Sequence, residues 1–262
     1  MKSLVIGNSS QLSHYFPDDY QRISSRNINF SEYKDNKYDR VYMCFSEQRT
    51  FLKNDGIFKD INLSYTINIL SDFVRISDKI IVYGTSELWN KYNGVINISL
   101  PVDYHSTPYI ESKDIMTNAI KKLGMSNVII VHPFNFNSIH RKEGFLFSKI
   151  FNSLLYNKKI EIGDTYFYRD LIHPKFVVEE SIKSDKDIII GSGRLTFVND
   201  FIRDLYKGMD MDYDCYVTEN IKNNLDIKRN INYSDTFVCD YKKLLETTLD
   251  EIKRDKFSQK YN

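Results

Sequence analysis

Glycine is scarce in this sequence: 10 of 262 residues, where average usage near 7% would give about 18. A full glycine-rich phosphate loop is thereby excluded, and any such loop must be a reduced one. Cysteine is scarcer still. Cys44, Cys215 and Cys239 are too few and too scattered for a disulfide framework or a zinc ribbon, which predicts free thiols in a reducing cytosol. No apolar run approaches the ~18 residues that cross a bilayer. The apolar stretch in MKSLVIGNSS is shorter than the ~7–15 residues of a signal-peptide core and reads as a first β-strand. Charge of one sign is also missing: 36 basic and 35 acidic residues leave +1, so neither nucleic acid nor a membrane surface is an expected partner. What remains is a cytoplasmic globular chain, 42% hydrophobic and 27% charged, long enough for one sizeable core and a smaller lobe.

Short apolar runs rich in β-branched residues recur at Leu4-Val5-Ile6, Arg22-Ile23-Ser24, Val41-Tyr42-Met43, Ile80 to Tyr83, Val128 to Val131 and Ile188 to Ile190. Several are near-continuous rather than alternating, as a parallel sheet covered on both faces requires. Helix patterns separate them: Ser10 to Phe16, about Ile61 to Ile76, Tyr109 to Leu123 and about Phe145 to Tyr156. In the second, Ile61, Tyr65, Ile69 and Phe73 make one apolar stripe at i, i+4 spacing. Strand and helix in alternation predict an α/β fold, a Rossmann-like doubly wound parallel sheet with a small C-terminal α/β lobe. The expected division is 1–135 plus about 175–207 for the sheet domain, and 136–174 plus about 208–262 for the lobe. The polar end, Arg254 to Asn262, is expected to fray.

Gly7 follows the first strand directly, where a dinucleotide fold places its phosphate loop. Gly7-x-x-Ser10-x-x-Ser13 resembles the GxxGxxG of short-chain dehydrogenases with two glycines replaced. Gly7 can make the tight turn and Ser13 is small enough for close helix packing. Ser10 stands where bare backbone normally approaches a pyrophosphate, its hydroxyl either donating to phosphate or blocking it. An ordinary strand-to-helix turn is the alternative reading. The second strand ends at Ser24-Ser25-Arg26, about twenty residues after Gly7, where an acidic residue would bind a ribose 2′-hydroxyl. Arg26 instead suits a 2′-phosphate and favours NADP over NAD, or it is a solvated surface arginine.

Tyr109-Ile110-Glu111-Ser112-Lys113 places a phenol and an ammonium at i, i+4 on one helix face, after Pro108 and the Tyr104-His105-Ser106-Thr107 loop. A phenol is a poor base at neutral pH, and a neighbouring cation lowers its pKa toward a useful range. Upstream, the strand ending at Tyr83 runs into Gly84-Thr85-Ser86-Glu87-Leu88-Trp89. Carboxyl ends of parallel strands face the ligand crevice, so Thr85 would be presented there. Its hydroxyl suits a substrate oxygen and Glu87 suits removal of a proton beside a carbonyl; the alternative is a capped strand-ending turn.

Together these residues resemble the extended short-chain dehydrogenase/reductase family, the sugar-nucleotide epimerases and dehydratases. Beyond Gly7-x-x-Ser10-x-x-Ser13, Asp39-Arg40-Val41-Tyr42 resembles its "D-x-V-x" strand and Asn62 to Leu70 its "N-V-x-G-T-x-N-L-L" helix. Thr85 and the Tyr109/Lys113 pair come next. His132-Pro133-Phe134-Asn135 is similar to "R-P-F-N", Arg169-Asp170-Leu171-Ile172-His173 to "R-D-F-I-H", and Ile190-Gly191-Ser192-Gly193 to "N-I-G-S-G". The order of the segments matches that of the family.

The resemblance implies Tyr109 as catalytic acid/base and Lys113 as its tuner and a ligand of the nicotinamide ribose. It implies Thr85 as the group that orients a sugar oxygen, and Asn62 as support for the active-site water and backbone. Gly7, Ser9, Ser10, Arg26, Lys113 and Pro133 would hold NADP or NAD. Ser86, Asn135 and Arg169 would meet a nucleotide-sugar substrate, Arg169 through phosphate or, alternatively, in an ion pair with an acid such as Asp164. Thr85-Ser86-Glu87-Leu88 is similar to a segment of GDP-mannose 4,6-dehydratases in which the Glu removes a proton beside a transient C4 ketone. The implied activity is C4 oxidation and reduction of a nucleotide-activated sugar for deoxysugar or surface-polysaccharide synthesis. A keto-sugar reductase using NADPH and a non-catalytic nucleotide-binding scaffold are the alternatives. Family members commonly dimerise through two helices, here 61–76 and 109–123. No metal is expected, since the histidines lack ligand spacing and His132, where the family has arginine, reads as a hydrogen-bonded strand end.

Overall fold

Six of the β-branched runs pair side by side, all parallel, in a computed structural model that describes residues 2–50, 54–102, 105, 107–220 and 231–261. These strands are β1 (Ser3–Ile6), β2 (Gln21–Ile23), β3 (Tyr38–Met43), β4 (Ser77–Tyr83), β5 (Val128–Pro133) and β6 (Ile188–Ile190). Their order across the sheet is β2-β1-β3-β4-β5-β6. The chain therefore reverses its direction of travel between β1 and β3, the switch point at which open α/β sheets bind ligands. Ile6 pairs with Met43, Met43 with Val82, and Tyr83 with Val131, so the carboxyl ends of the strands lie level along one edge. This is the Rossmann-like α/β sheet the strand pattern predicts.

Both faces of the sheet are covered. On one, Leu4, Ile6, Val41, Met43, Ile80, Val82 and Ile130 pack with Ile69, Leu70, Phe73, Met116 and Ile120 from two helices. On the other, Phe16 and Tyr20 lie against Tyr42, with ring centroids 4.5 and 6.0 Å away. Each fully buried aliphatic side chain here contributes about 1.5–3 kcal/mol of transfer free energy.

Three helical segments differ from their sequence patterns. Ser10 to Phe16 is only a short 3-10 helix (Gln11–Tyr15), capped by Ser10. The Arg22 guanidinium donates to the carbonyls of Ser13, Phe16, Pro17 and Tyr20, taking backbone acceptors beside Pro17 that a longer helix would use itself. The second helix starts earlier than Ile61, as α1 (Gly56–Phe58), runs through a π-helical segment (Lys59–Tyr65) and continues as α2 (Thr66–Phe73). α3 spans Pro108–Lys122, with Thr107 Oγ1 accepting from the Ile110 amide as its cap. The polar C-terminus lies in α8 (Tyr241–Tyr261), whose Lys256 ammonium donates to Leu154 O and Asn157 Oδ1 at 2.8 Å each.

The chain divides into two units: 1–91, 97–133 and 178–190 make the first, which holds the sheet, and 92–96, 134–177 and 191–262 the second. In the second, α4 (Leu146–Tyr156) and α6 (Val198–Gly208) pack on α8. α5 (Pro174–Lys183) carries the chain back toward β6, and α7 (Tyr213–Tyr216) is one turn. The second unit is clasped by Asp170. Its fully buried carboxylate accepts from the amides of Ser192, Gly193 and Ser234 at 2.6, 3.2 and 3.0 Å and from Ser192 Oγ at 2.7 Å. Two of the family-like segments thus hold each other by hydrogen bonds.

Candidate active site

The level carboxyl edge of the first unit gathers most of the motif residues. Gly7 leaves β1 with φ +107°, a conformation that favours glycine, and a Cβ there would come within 3.0 Å of the Cys44 backbone. Ser10 Oγ accepts from the Leu12 amide at 3.3 Å. Ser13 is buried, its hydroxyl 2.7 Å from Asn8 O and 2.8 Å from Ser10 O. The turn is thereby closed on itself, with Ser9 exposed at its tip. Arg26 is exposed beyond β2, where its amide donates to Ser24 Oγ.

β4 delivers the next group. Thr85 is buried and caps a 3-10 turn (Ser86–Trp89), its Oγ1 accepting from the Glu87 amide at 3.3 Å. That contact uses a lone pair and leaves the hydroxyl proton for another acceptor, so capping and substrate binding are compatible. Ser86 is buried and Glu87 half-buried. α3 packs beside this turn and carries Tyr109 and Lys113 into the interior, 8% and 2% exposed. The Tyr109 ring meets Phe58 edge-on at 6.1 Å.

Lys113 is the most perturbed cation of the site. Its Nζ donates to Tyr83 O at 2.8 Å, and burial pushes its pKa down to about 7. An ammonium has three hydrogens to place. Tyr83 O takes one, and no other protein acceptor stands within hydrogen-bond reach among the described residues. Ahead of α3, His105 Nε2 is 2.8 Å from Asp114 Oδ2, which anchors the preceding loop; Tyr104 and Ser106 lie outside the described residues.

Asn62 is fully buried in the π-helical segment and joins three elements. Its Oδ1 accepts from the Glu47 amide at 2.8 Å and from Ser46 Oγ at 3.0 Å. Its Nδ2 donates to Glu47 O at 3.0 Å and to Ser112 Oγ at 3.2 Å. Ser112 sits between Tyr109 and Lys113 on α3, so Asn62 ties the helix that carries these two residues to the segment after β3. Sequence reading missed Ser46, Glu47 and Ser112. The available signal was position, since Ser46 and Glu47 follow a parallel strand at its carboxyl end. Glu47 is itself buried, and the bidentate Arg49 guanidinium, 2.9 and 2.6 Å away, holds its carboxyl below the usual range.

Three candidates remain. Pro133 ends β5, buried and paired with Ile190. Asn135 and Arg169 belong to the second unit. Asn135 pairs with Leu171, and the Arg169 guanidinium donates to Tyr168 O at 2.9 Å and lies 5.0 Å from the Phe167 ring.

Neither a protein-family model nor a curated protein matches the sequence. Solved structures do match. RMD from Pseudomonas aeruginosa, complexed with NADPH, superposes with a TM-score of 0.78 at 15% identity, over 98% of this chain and 100% of that one. A UDP-N-acetylglucosamine 4-epimerase from Methanobrevibacter ruminantium M1, in complex with UDP-N-acetylmuramic acid, gives 0.78 at 14% identity over 98% of both chains. UDP-glucuronic acid 4-epimerase from Bacillus cereus, in complex with NAD, gives 0.75 at 17% identity over 97% of both. The chain has, nearly end to end, the fold of these structures.

Proposed function

We propose that this protein is an NAD(P)-dependent enzyme of the extended short-chain dehydrogenase/reductase type that oxidises and reduces a nucleotide-activated sugar at C4. The observation that carries the reading is Lys113, a buried ammonium with one carbonyl partner among the described residues, on the same helix face as Tyr109 and beside the Thr85 turn. The residues present fit a dinucleotide. Gly7 brings bare backbone to the switch point, and the two hydrogens of Lys113 that no described residue accepts suit the hydroxyls of a ribose. Gly7, Ser9, Ser10 and Pro133 would hold the cofactor with Lys113, and Arg26 would favour the 2′-phosphate of NADP. When bound, the nicotinamide supplies the hydride acceptor and donor.

The protein supplies the proton path. Thr85 Oγ1 donates to the C4 oxygen of the sugar and fixes it near the Tyr109 phenol. Tyr109 takes the proton of the C4 hydroxyl as the ketone forms and returns it on reduction. Charged Lys113 favours the phenolate. Asn62 holds α3 in register with the β3 end, and Glu87 stands to remove a proton beside the ketone, which tilts the outcome toward dehydration or epimerisation. In this reading the first unit binds dinucleotide and the second unit binds the sugar nucleotide through Asn135 and Arg169. The chain acts in the cytoplasm in deoxysugar or polysaccharide synthesis, as a homodimer through the helices at 56–73 and 108–122. Exposed Arg26 at the end of β2 also suits a keto-sugar reductase.

Absorbance of the purified protein separates the two outcomes. A nicotinamide retained through purification supports an epimerase or dehydratase, and consumption of added NADPH with a 4-keto nucleotide sugar supports a reductase. Failure to retain, bind or oxidise any nicotinamide dinucleotide overturns the proposal.

A further inference from the structure

One buried side chain beside this site has no role in the reaction so far described. His132, near the end of β5, is 1% exposed. Its Nδ1 lies 3.3 Å from both the amide nitrogen and the carbonyl oxygen of Thr85. Its ring meets Trp89 edge-on at 5.0 Å, and its Nε2 is buried without a hydrogen-bond partner among the described residues. A Cβ on Gly84 would fall 2.4 Å from Nδ1, so glycine is the residue that lets the strand pass the imidazole. The turn carrying Thr85, Ser86 and Glu87 is thus moulded around one ring: beneath Gly84, bonded to Thr85 and closed by Trp89.

We propose that His132 is a positioning residue, which through the Thr85 main chain and Trp89 sets where the Thr85 hydroxyl and Glu87 stand relative to Tyr109 and Lys113. The inference rests on the active-site reading above. A single ring nitrogen reaches both polar groups of one peptide residue, so each neutral tautomer makes a bond. A bare Nδ1 accepts from Thr85 N–H, and a protonated Nδ1 donates to Thr85 O. Only the imidazolium is disfavoured, since it would add charge and an unpaired N–H in a dry place. Burial holds the ring neutral down to about pH 3, outweighing the Thr85 carbonyl, which favours the protonated ring, with the charges of Lys121 and Lys113 acting in the same direction as burial. The contact therefore persists throughout the range in which Lys113 titrates. Arginine, the residue of the similar family segment, would put a second fixed cation near Lys113.

Two substitutions test the role. His132→Phe keeps an aromatic ring against Trp89 and removes Nδ1. His132→Asn places an amide oxygen or nitrogen at the Nδ1 position, able to accept from or donate to Thr85. A displaced catalytic hydroxyl costs about 10- to 100-fold in kcat. His132→Phe is expected to show that loss with KM for the sugar nucleotide and Kd for NADP unchanged, and His132→Asn to recover most of it. Wild-type kcat in His132→Phe, or an equal loss in both variants, overturns the proposal. Nitrogen-15 spectra separate this failure from failure of the active-site reading, because they need no turnover. A neutral His132 ring at pH 5 and a Thr85 amide shifted by His132→Phe support the contact; a charged ring or an unmoved amide refutes it.

Discussion

A lysine ammonium buried with a single carbonyl partner weakens the folded chain, and among the described residues Lys113 has only such a partner. Its pKa falls from 10.5 to about 7 on burial, so the folded protein binds fewer protons than the unfolded chain between those values. Stability should therefore rise with pH from about 7 to 10.5, by up to about 1.4 kcal/mol per pH unit. Lys113→Met is expected to flatten this slope in urea unfolding, raise stability at pH 7 by about 1–4 kcal/mol, and abolish turnover. A destabilised Lys113→Met protein would mean that the ammonium serves packing rather than chemistry. Tyr109→Phe removes only the proposed proton carrier. It is expected to keep dinucleotide affinity while kcat falls about 10²- to 10⁴-fold, measured by single-turnover absorbance. The grouping of Tyr109, Lys113 and Thr85 was legible in the sequence because it rests on local features: a strand end, and a pair one helical turn apart. Ser46, Glu47 and Ser112 were not, since they act through Asn62, whose partners are 15 to 50 residues away.

Among the elements, the strands were read where they form because buried parallel strands advertise themselves as continuous β-branched runs. The helix before β4 shows what periodicity conceals. The stripe Ile61, Tyr65, Ile69 and Phe73 suggests one uninterrupted α-helix, yet Ile61 and Tyr65 are only half-buried while Phe58, Asn62 and Thr66 are buried. A π turn holds more residues than an α turn, so it rotates the inward face between the two halves and brings Asn62 inside. Thr66 Oγ1 donates to Ile61 O at 3.0 Å across this segment. Asn62→Leu would leave the Glu47 amide and carbonyl unpaired, each at about 1–3 kcal/mol. The expected result is a loss of roughly 2–5 kcal/mol in urea unfolding, with a matching fall in kcat; a loss within 0.5 kcal/mol, as at ordinary surface sites, would remove Asn62 from the support of α3. The short 3-10 helix after β1 escaped its sequence pattern for a different reason. Arg22 lies beyond the turn it staples, and no local pattern reports that contact.

For the whole molecule, the scarcity of glycine has become specific. Gly7 remains at the point where the chain must turn in the left-handed region, while Ser10 and Ser13 use their hydroxyls to close the loop on itself. The sheet order, the level strand ends and the buried Lys113 are what the proposed dinucleotide site rests on, and the fold is that of the structures it superposes on. Whether a loop closed by serines still admits the pyrophosphate is therefore decisive. Calorimetric titration of the intact protein with NADP and NAD, alongside Lys113→Met, measures it. Saturable binding with a Kd in the ~1–100 μM range, equivalent to about 5.5–8.2 kcal/mol, and at least tenfold weaker in Lys113→Met, is the expected result. Absence of heat with both dinucleotides at millimolar concentration, or equal affinity in the variant, would contradict it.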